Sequence, residues 1–298
     1  MSCLKRNKLN LLLTNWTNRV PMTSAQLKKL GISQQLISRY IESKWLKAIG
    51  RGVFVKVGDQ IDWTAALFTL QTELGLSVHV GGKTALDFYG IHHYTYLLGE
   101  GLVWLFGKKG EKLPIWFING SEWNNSYSKI QYTIPRLFDD ETTGLESIPI
   151  GRTRIVTDAF DTFIDTAANP NPMDKKNLND YEIIVSSVER AILEILYLIP
   201  SQQTLEQAKY LMEGLMTLRP ALIQQLLEQC RSIKTKRLFI FLAELCHLPC
   251  LEHLDSAKIN LGKGKRVIGV GGSYIAKHKI SVPESFANTF AEELEQYE

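Results

Sequence analysis

Apolar positions in the first sixty residues change period more than once, and the changes divide the stretch into elements. Leu9, Leu12, Leu13 and Trp16 are spaced i, i+3, i+4 and i+7, one face of a helix beginning near Leu4. Pro21 breaks that pattern. Thr23 and Gln26 then have capping-box spacing and predict a second helix, with Leu27 inward and Lys28 and Lys29 outward, which Gly31 ends as a C-cap glycine. Ser33 is a suitable N-cap for a third helix. Ile32 and Ile37 occupy the two positions of a hydrophobic staple across it, and Leu36, Ile37, Tyr40 and Ile41 form its inward face. Beyond it, residues 46–49 and 53–57 read as strands joined by Gly50-Arg51-Gly52, a hairpin with glycines where turn geometry calls for positive φ. This is the element order of a winged helix-turn-helix.

The pattern then becomes mixed. Trp63, Ala66, Leu67 and Leu70 predict a helix over 61–74, and residues 76–80 predict a short strand. A further helix starts at Gly81-Gly82-Lys83-Thr84, turns Ala85, Leu86, Phe88 and Tyr89 inward and ends at Gly90. Residues 102–106, 113–118, 130–134, 147–150 and 153–156 are aromatic and strand-like, and together predict a small sheet. Asn169-Pro170-Asn171-Pro172 marks a linker, after which 181–198, 204–218, 220–231 and 234–247 read as helices. The expectation is an α+β chain: an N-terminal winged helix-turn-helix with its following helices over 1–92, then a larger mixed α/β domain over 93–298 with a small sheet and a C-terminal helical layer. At 298 residues and 45% hydrophobic content, a two-domain chain can bury a sizeable core.

Charge sharpens the reading of the first element group. Residues 1–60 carry eleven Lys or Arg against two acids, Glu42 and Asp59, whereas the whole chain stands at only +3. A cationic face confined to one module supplies phosphate affinity and steering that the overall balance would not. On the third helix, Gln34, Gln35, Ser38 and Arg39 point outward; Gln pairs bidentately with adenine and Arg with guanine, each worth about 1–3 kcal/mol of discrimination. Lys28, Lys44, Lys47 and Arg51, the last at the wing tip, are placed to grip phosphates and set register. A second basic stretch, 231–279, holds ten bases and three acids. There Lys234, Lys236, Lys263, Lys265 and Arg266 are candidate phosphate contacts, with a solubilising surface as the alternative.

Other chemistry is weaker. Gly82-Lys83-Thr84 looks like the end of a phosphate loop, but Ser77 stands where that motif needs glycine, so a plain helix start is preferred. Cys246, His247, Cys250 and His253 have poor zinc spacing and Pro249 among them, and no metal or other cofactor is expected. Asp158, Asp161 and Asp165 share a helical face and are the one carboxylate group that would suit a metal-dependent nuclease or nucleotidyltransferase. A solvated face is the preferred reading, and no enzyme is expected. Four cysteines make no disulfide framework. No apolar run approaches the ~20 residues of a membrane span, and the N-terminal leucine-rich stretch, interrupted by Asn10, lacks a cleavage site. The expected location is cytoplasmic, with no membrane partner.

The winged-helix residues, the turn Gly82-Lys83-Thr84-Ala85-Leu86, the run Glu189-Arg190-Ala191-Ile192-Leu193-Glu194, and 234–244 followed by 261–266 occur in a telling order. Over about 7–283 the chain resembles the AbiEi antitoxins of type IV abortive-infection toxin-antitoxin systems. The resemblance implies a bacterial autorepressor whose winged helix binds inverted repeats in double-stranded DNA of its own promoter. It also implies a C-terminal domain that counteracts a nucleotidyltransferase-like toxin without a stable direct complex. A regulator of the same fold with no toxin partner is the alternative.

Overall fold

A computed structural model describes residues 10, 12, 14–91, 101–120, 129–150, 181–268 and 272–296. In chain order these form β1 (Met22–Thr23), α1 (Ser24–Lys29), α2 (Gln34–Glu42), β2 (Leu46–Gly50), β3 (Val53–Lys56), α3 (Trp63–Thr72), β4 (His79–Val80) and α4 (Gly82–Phe88). Then come β5 (Leu102–Phe106), α5 (Ile115–Ile118), β6 (Lys129–Thr133), β7 (Leu145–Ile150), β8 (Tyr181–Ser186), α6 (Val188–Leu198), α7 (Leu205–Glu213) and α8 (Pro220–Gln229). The last elements are α9 (Ile233–Leu245), β9 (Arg266–Val267), β10 (Ser273–Ile275), β11 (Ile280–Val282) and α10 (Glu284–Gln296). The class is mixed α+β. Five strands are ordered β6-β5-β4-β8-β7, and two three-stranded sheets run β1-β3-β2 and β10-β11-β9. The chain divides into two compact units interleaved in sequence, one of 1–79, 110–130 and 147–184, the other of 80–109, 131–146 and 185–298.

The first unit gathers the N-terminal elements around Leu12, Trp16, Met22, Leu27, Ile32, Ile37, Leu46 and Phe54, all buried. Burial of a side chain such as Ile37 contributes about 1.5–3 kcal/mol. Trp16 keeps its polar end satisfied by donating from Nε1 to the Val20 carbonyl at 2.7 Å. Thr23 Oγ1 accepts from the Gln26 N–H at 3.2 Å, half of the expected capping box. The other half is taken by tertiary structure, because the Thr23 N–H donates to Glu73 Oε2 beyond the end of α3 at 2.7 Å. Burial pushes the Glu73 carboxyl up, and that hydrogen bond opposes the shift.

Three local expectations are corrected. Residues 115–118 form the helical turn α5, not a strand: four consecutive apolar residues carry no period, and packing of Phe117 decides. Trp116 lies so close to Gly50 that a Cβ there would sit 2.3 Å from the Trp116 Cβ, which makes a side chain at 50 untenable. The segment 181–198 is not one helix. Tyr181–Ser186 is a strand with alternating burial at its start, and Ser187 then caps α6 by accepting from the Arg190 N–H at 3.3 Å. Ile41 on α2 is 38% exposed rather than inward.

In the second unit the predicted helix start at Gly81-Gly82 is held by the protein's own carboxylate. The Gly82 N–H donates to Glu194 Oε2 at 3.0 Å, and Glu194 also accepts from Ser186 Oγ and from Arg190 Nε at 2.9 Å. Arg190 Nη1 completes the network on the Glu141 and Thr143 carbonyls. A helix N-terminus that resembles a phosphate loop therefore already has an anion, and Lys83 Nζ donates to Gln207 Oε1 at 2.8 Å. A 13-residue helix over Glu284–Gln296, which the hydrophobic pattern did not predict, seats Phe286 and Phe290 in the core.

Candidate nucleic-acid interface

Two similar turns orient the helices of the first unit. At the end of α1, Gly31 takes φ 77° while the Gly31 and Ile32 N–H groups donate to the Lys28 and Leu27 carbonyls at 2.9 and 3.0 Å. This is a Schellman motif, with Ile32 and Leu27 supplying its apolar contact. The N–H of Leu36 then donates to Ser33 Oγ at 3.3 Å, starting α2 with a cap worth about 1 kcal/mol. At the far end the same arrangement recurs with lysine. Lys44 holds φ 58°, and the Lys44 and Trp45 N–H groups donate to the Ile41 and Tyr40 carbonyls at 3.0 and 2.9 Å. An L side chain in that conformation costs about 1–2 kcal/mol.

Between those turns α2 has one buried residue, Ile37, and an outer face on which Gln34, Gln35, Ser38 and Arg39 are all exposed. Ser38 Oγ donates back to the Gln34 carbonyl at 3.2 Å, and Ser43 Oγ to the Arg39 carbonyl at 2.7 Å. Lys28, on the last turn of α1, is exposed, as are Lys44, Lys47 and Arg51. β2 and β3 pair antiparallel from Leu46↔Lys56 to Gly50↔Val53, with an irregularity between Ala48 and Gly50. Arg51 and Gly52 form the tip, Gly52 at φ 72°. The Ser24 N–H donates to the Gly52 carbonyl at 2.7 Å, fixing the hairpin against the start of α1. A groove of about 940 Å³ lies beside this hairpin, lined by Ser24, Lys47, Arg51, Ile115 and Trp116 among others.

The second basic stretch is arranged differently. Lys234 Nζ donates to the Tyr197 carbonyl at 2.8 Å and also to that of Ile199, and lies 5.6 Å from the Tyr197 ring centroid. Lys236 is 3% exposed, with its ammonium 3.5 Å from the Glu228 carbonyl. Burial lowers the pKa of both ammonium groups. Their donors are committed to backbone, which corrects their assignment as phosphate contacts. Lys263, Lys265 and Arg266 are exposed, and Lys265 Nζ stands 4.4 Å over the Tyr274 ring. Two further residues of this region were not singled out by the sequence pattern. Arg237, 2% exposed, donates into the 261–264 loop, and Lys279, exposed at φ 52°, offers its carbonyl to the same guanidinium. One sequence signal was available: three cations in the first turns of α9 oppose the helix dipole, so tertiary partners had to hold them.

Asp158, Asp161, Asp165 and the 169–172 linker lie outside the described residues. Cys230 and Cys250 are buried, and burial pushes the Cys230 thiol up to about 11. Cys246 Sγ donates to the Lys209 carbonyl at 3.9 Å. Among the described residues no group of three or more His, Cys, Asp or Glu is arranged to hold a metal ion, and no helix is long and apolar enough to cross a membrane.

Comparison with known proteins gives two family matches. Residues 5–97 match the model of the transcriptional regulator AbiEi antitoxin N-terminal domain, and residues 100–283 that of the transcriptional regulator, AbiEi antitoxin, type IV TA system. No curated protein matches the chain. The crystal structure of the RV2827C protein from Mycobacterium tuberculosis is similar over 92% of this chain and 89% of that one, at 12% identity and a TM-score of 0.49, too loose a likeness to bear on function. With the two family models together spanning nearly its whole length, the chain belongs to the AbiEi antitoxins, transcriptional regulators of type IV toxin-antitoxin systems.

Proposed function

We propose that the protein is an autorepressor that binds inverted repeats in its own promoter and counteracts a nucleotidyltransferase-like toxin without a stable complex. It performs no catalysis in this role. The observation that carries the DNA reading is the outer face of α2: four exposed side chains of base-reading type, bounded by the exposed cations Lys28, Lys44, Lys47 and Arg51. Gln35 and Arg39 read bases, and the cations hold phosphates. Residues 1–92 supply operator recognition and 93–298 the antitoxic activity, with Lys263, Lys265 and Arg266 as a further phosphate-contacting group.

Exchanging Gln35 and Arg39 together for Ala tests this in the full-length chain. Binding to a promoter duplex is expected to fall about tenfold or more relative to scrambled duplex, with the melting temperature little changed; retained preference for the promoter would refute the reading. Co-expression with the product of a neighbouring nucleotidyltransferase-like gene is expected to restore growth. Failure to restore it would leave a regulator with no toxin partner.

A further inference from the structure

Residues 110–120 fall beyond the N-terminal family match, which ends at 97, yet they belong to the first structural unit. Two anchors hold them there. Glu111 accepts from the Ser77 N–H at 3.1 Å and from Ser77 Oγ at 2.7 Å, and Trp116 lies against Gly50 of β2. The turn α5 closes on the Pro114 carbonyl, which accepts from the Phe117 and Ile118 N–H groups at 3.0 and 3.2 Å, and Phe117 is fully buried. Ile115 is left 76% exposed, with Asn119 exposed one turn further on.

The groove beside the hairpin therefore has two unlike banks. Lys47 and Arg51, both exposed, belong to the hairpin bank; Ile115, Trp116 and Asn119 belong to the other. An isoleucine in water, on a turn whose next two residues are both packed down, is apolar surface held in a fixed place, and covering it is favourable. The cations opposite select what covers it. Lys47 and Arg51 also border the reading face of α2, so a duplex that reaches them from α2 continues into the groove. It then brings the sugar and base edges of its minor groove to Ile115, and isoleucine is one of the side-chain types that contact and wedge into minor grooves.

We propose that this groove seats the strand of the promoter duplex that flanks the bases read by α2, and that Ile115 makes an apolar contact in the minor groove there. The proposal rests on the DNA reading above. It adds a contact that carries no charge and that comes from outside the winged helix-turn-helix segment.

The test is binding of promoter duplex by the full-length protein over a range of salt concentrations. Ile115→Ala is expected to weaken binding by about tenfold throughout the range. Its logarithmic salt slope should equal that of the wild type, because an apolar contact releases no counterion, whereas Lys47→Ala should lower the slope by about 0.9. Ile115→Leu should bind as the wild type does, and neither Ile115 variant should change the melting temperature, since the side chain stands in water in the free protein. On a promoter duplex given an A·T-rich flank, netropsin, which fills the minor groove, should reduce wild-type binding to the level of Ile115→Ala and leave Ile115→Ala where it was. Wild-type affinity in Ile115→Ala, or a lowered slope, overturns the contact. Equal weakening of both proteins by netropsin overturns its placement in the minor groove. A melting temperature lowered in Ile115→Ala assigns the side chain to the fold and overturns the proposal as well. Unchanged binding by Ile115→Ala alongside lost preference in the Gln35→Ala/Arg39→Ala variant defeats the groove and spares operator reading by α2; absence of any duplex binding by the wild-type protein defeats the DNA reading itself.

Discussion

The two basic regions of this chain carry similar excess charge and use it in opposite ways. Residues 1–60 have eleven bases against two acids, and residues 231–279 have ten against three. In the first region the cations named as phosphate contacts all lie exposed around a helix with a single buried residue. In the second, Lys234, Lys236 and Arg237 turn into the protein and donate to backbone carbonyls, and only the loop that follows carries its charge outward. Local positive charge therefore divides into charge that faces solvent and charge that builds the fold. Helix position separates the two: Lys28 and Arg39 sit in last turns, where the dipole welcomes a cation, whereas the α9 cations sit in first turns, where it does not.

Substitutions should expose that contrast. The largest effect is expected at Arg237→Met, which takes the side-chain donor from the Leu261, Gly262 and Gly264 carbonyls and leaves that of Lys279 with the Arg266 N–H alone; a drop of about 3 kcal/mol or more in denaturant unfolding follows from the cost of unsatisfied buried groups. Arg39→Ala, by contrast, should stay within about 0.5 kcal/mol of wild type. A comparable drop at the two positions would mean that the regions do not differ as described. A sharper pair is Lys234→Ala and Lys28→Ala. The first is expected to lower stability by about 1–2 kcal/mol with an unchanged salt slope for DNA binding. The second should leave stability alone and reduce the slope by about 0.9. The smallest effect is at the left-handed C-cap of α2: Lys44→Gly should raise stability by about 1 kcal/mol, as glycine tolerates φ 58°, while reducing the salt slope by about 0.9. A destabilised Lys44→Gly protein would show that the lysine stem contributes packing that outweighs the strain.

Legibility tracked the range of the interactions involved. Caps and C-terminal glycines act within four residues, so the turn at Gly31, the Ser33 cap and the Gly50-Arg51-Gly52 hairpin were readable from spacing alone. The run at 115–118 was not, because four successive apolar residues fit either period and the choice fell to burial of Phe117. Tyr181–Ser186 blended into the following helix for a related reason: Ser187 is a good cap, but the apolar content on either side of it hid the break. The family's order of motifs was visible in the sequence, whereas its physical basis was not. Gly82 belongs to one buried network with Arg190 and Glu194, and 112 positions separate it from the Glu194 that it meets.

By itself the sequence determined the α+β class, the order of two helices and a hairpin over residues 24–56, the family, and where positive charge is concentrated. These follow from periodicity, local caps and composition, all of which survive without knowledge of distant neighbours. The tertiary structure alone decided which cations face outward, because a lysine or arginine is exposed or spent according to whether carbonyls from remote segments surround it. Glu73 taking the Thr23 N–H, Glu194 filling the helix start at Gly82, and Arg237 gathering the loop carbonyls are all cases of that decision. Each joins residues at least twenty-four positions apart.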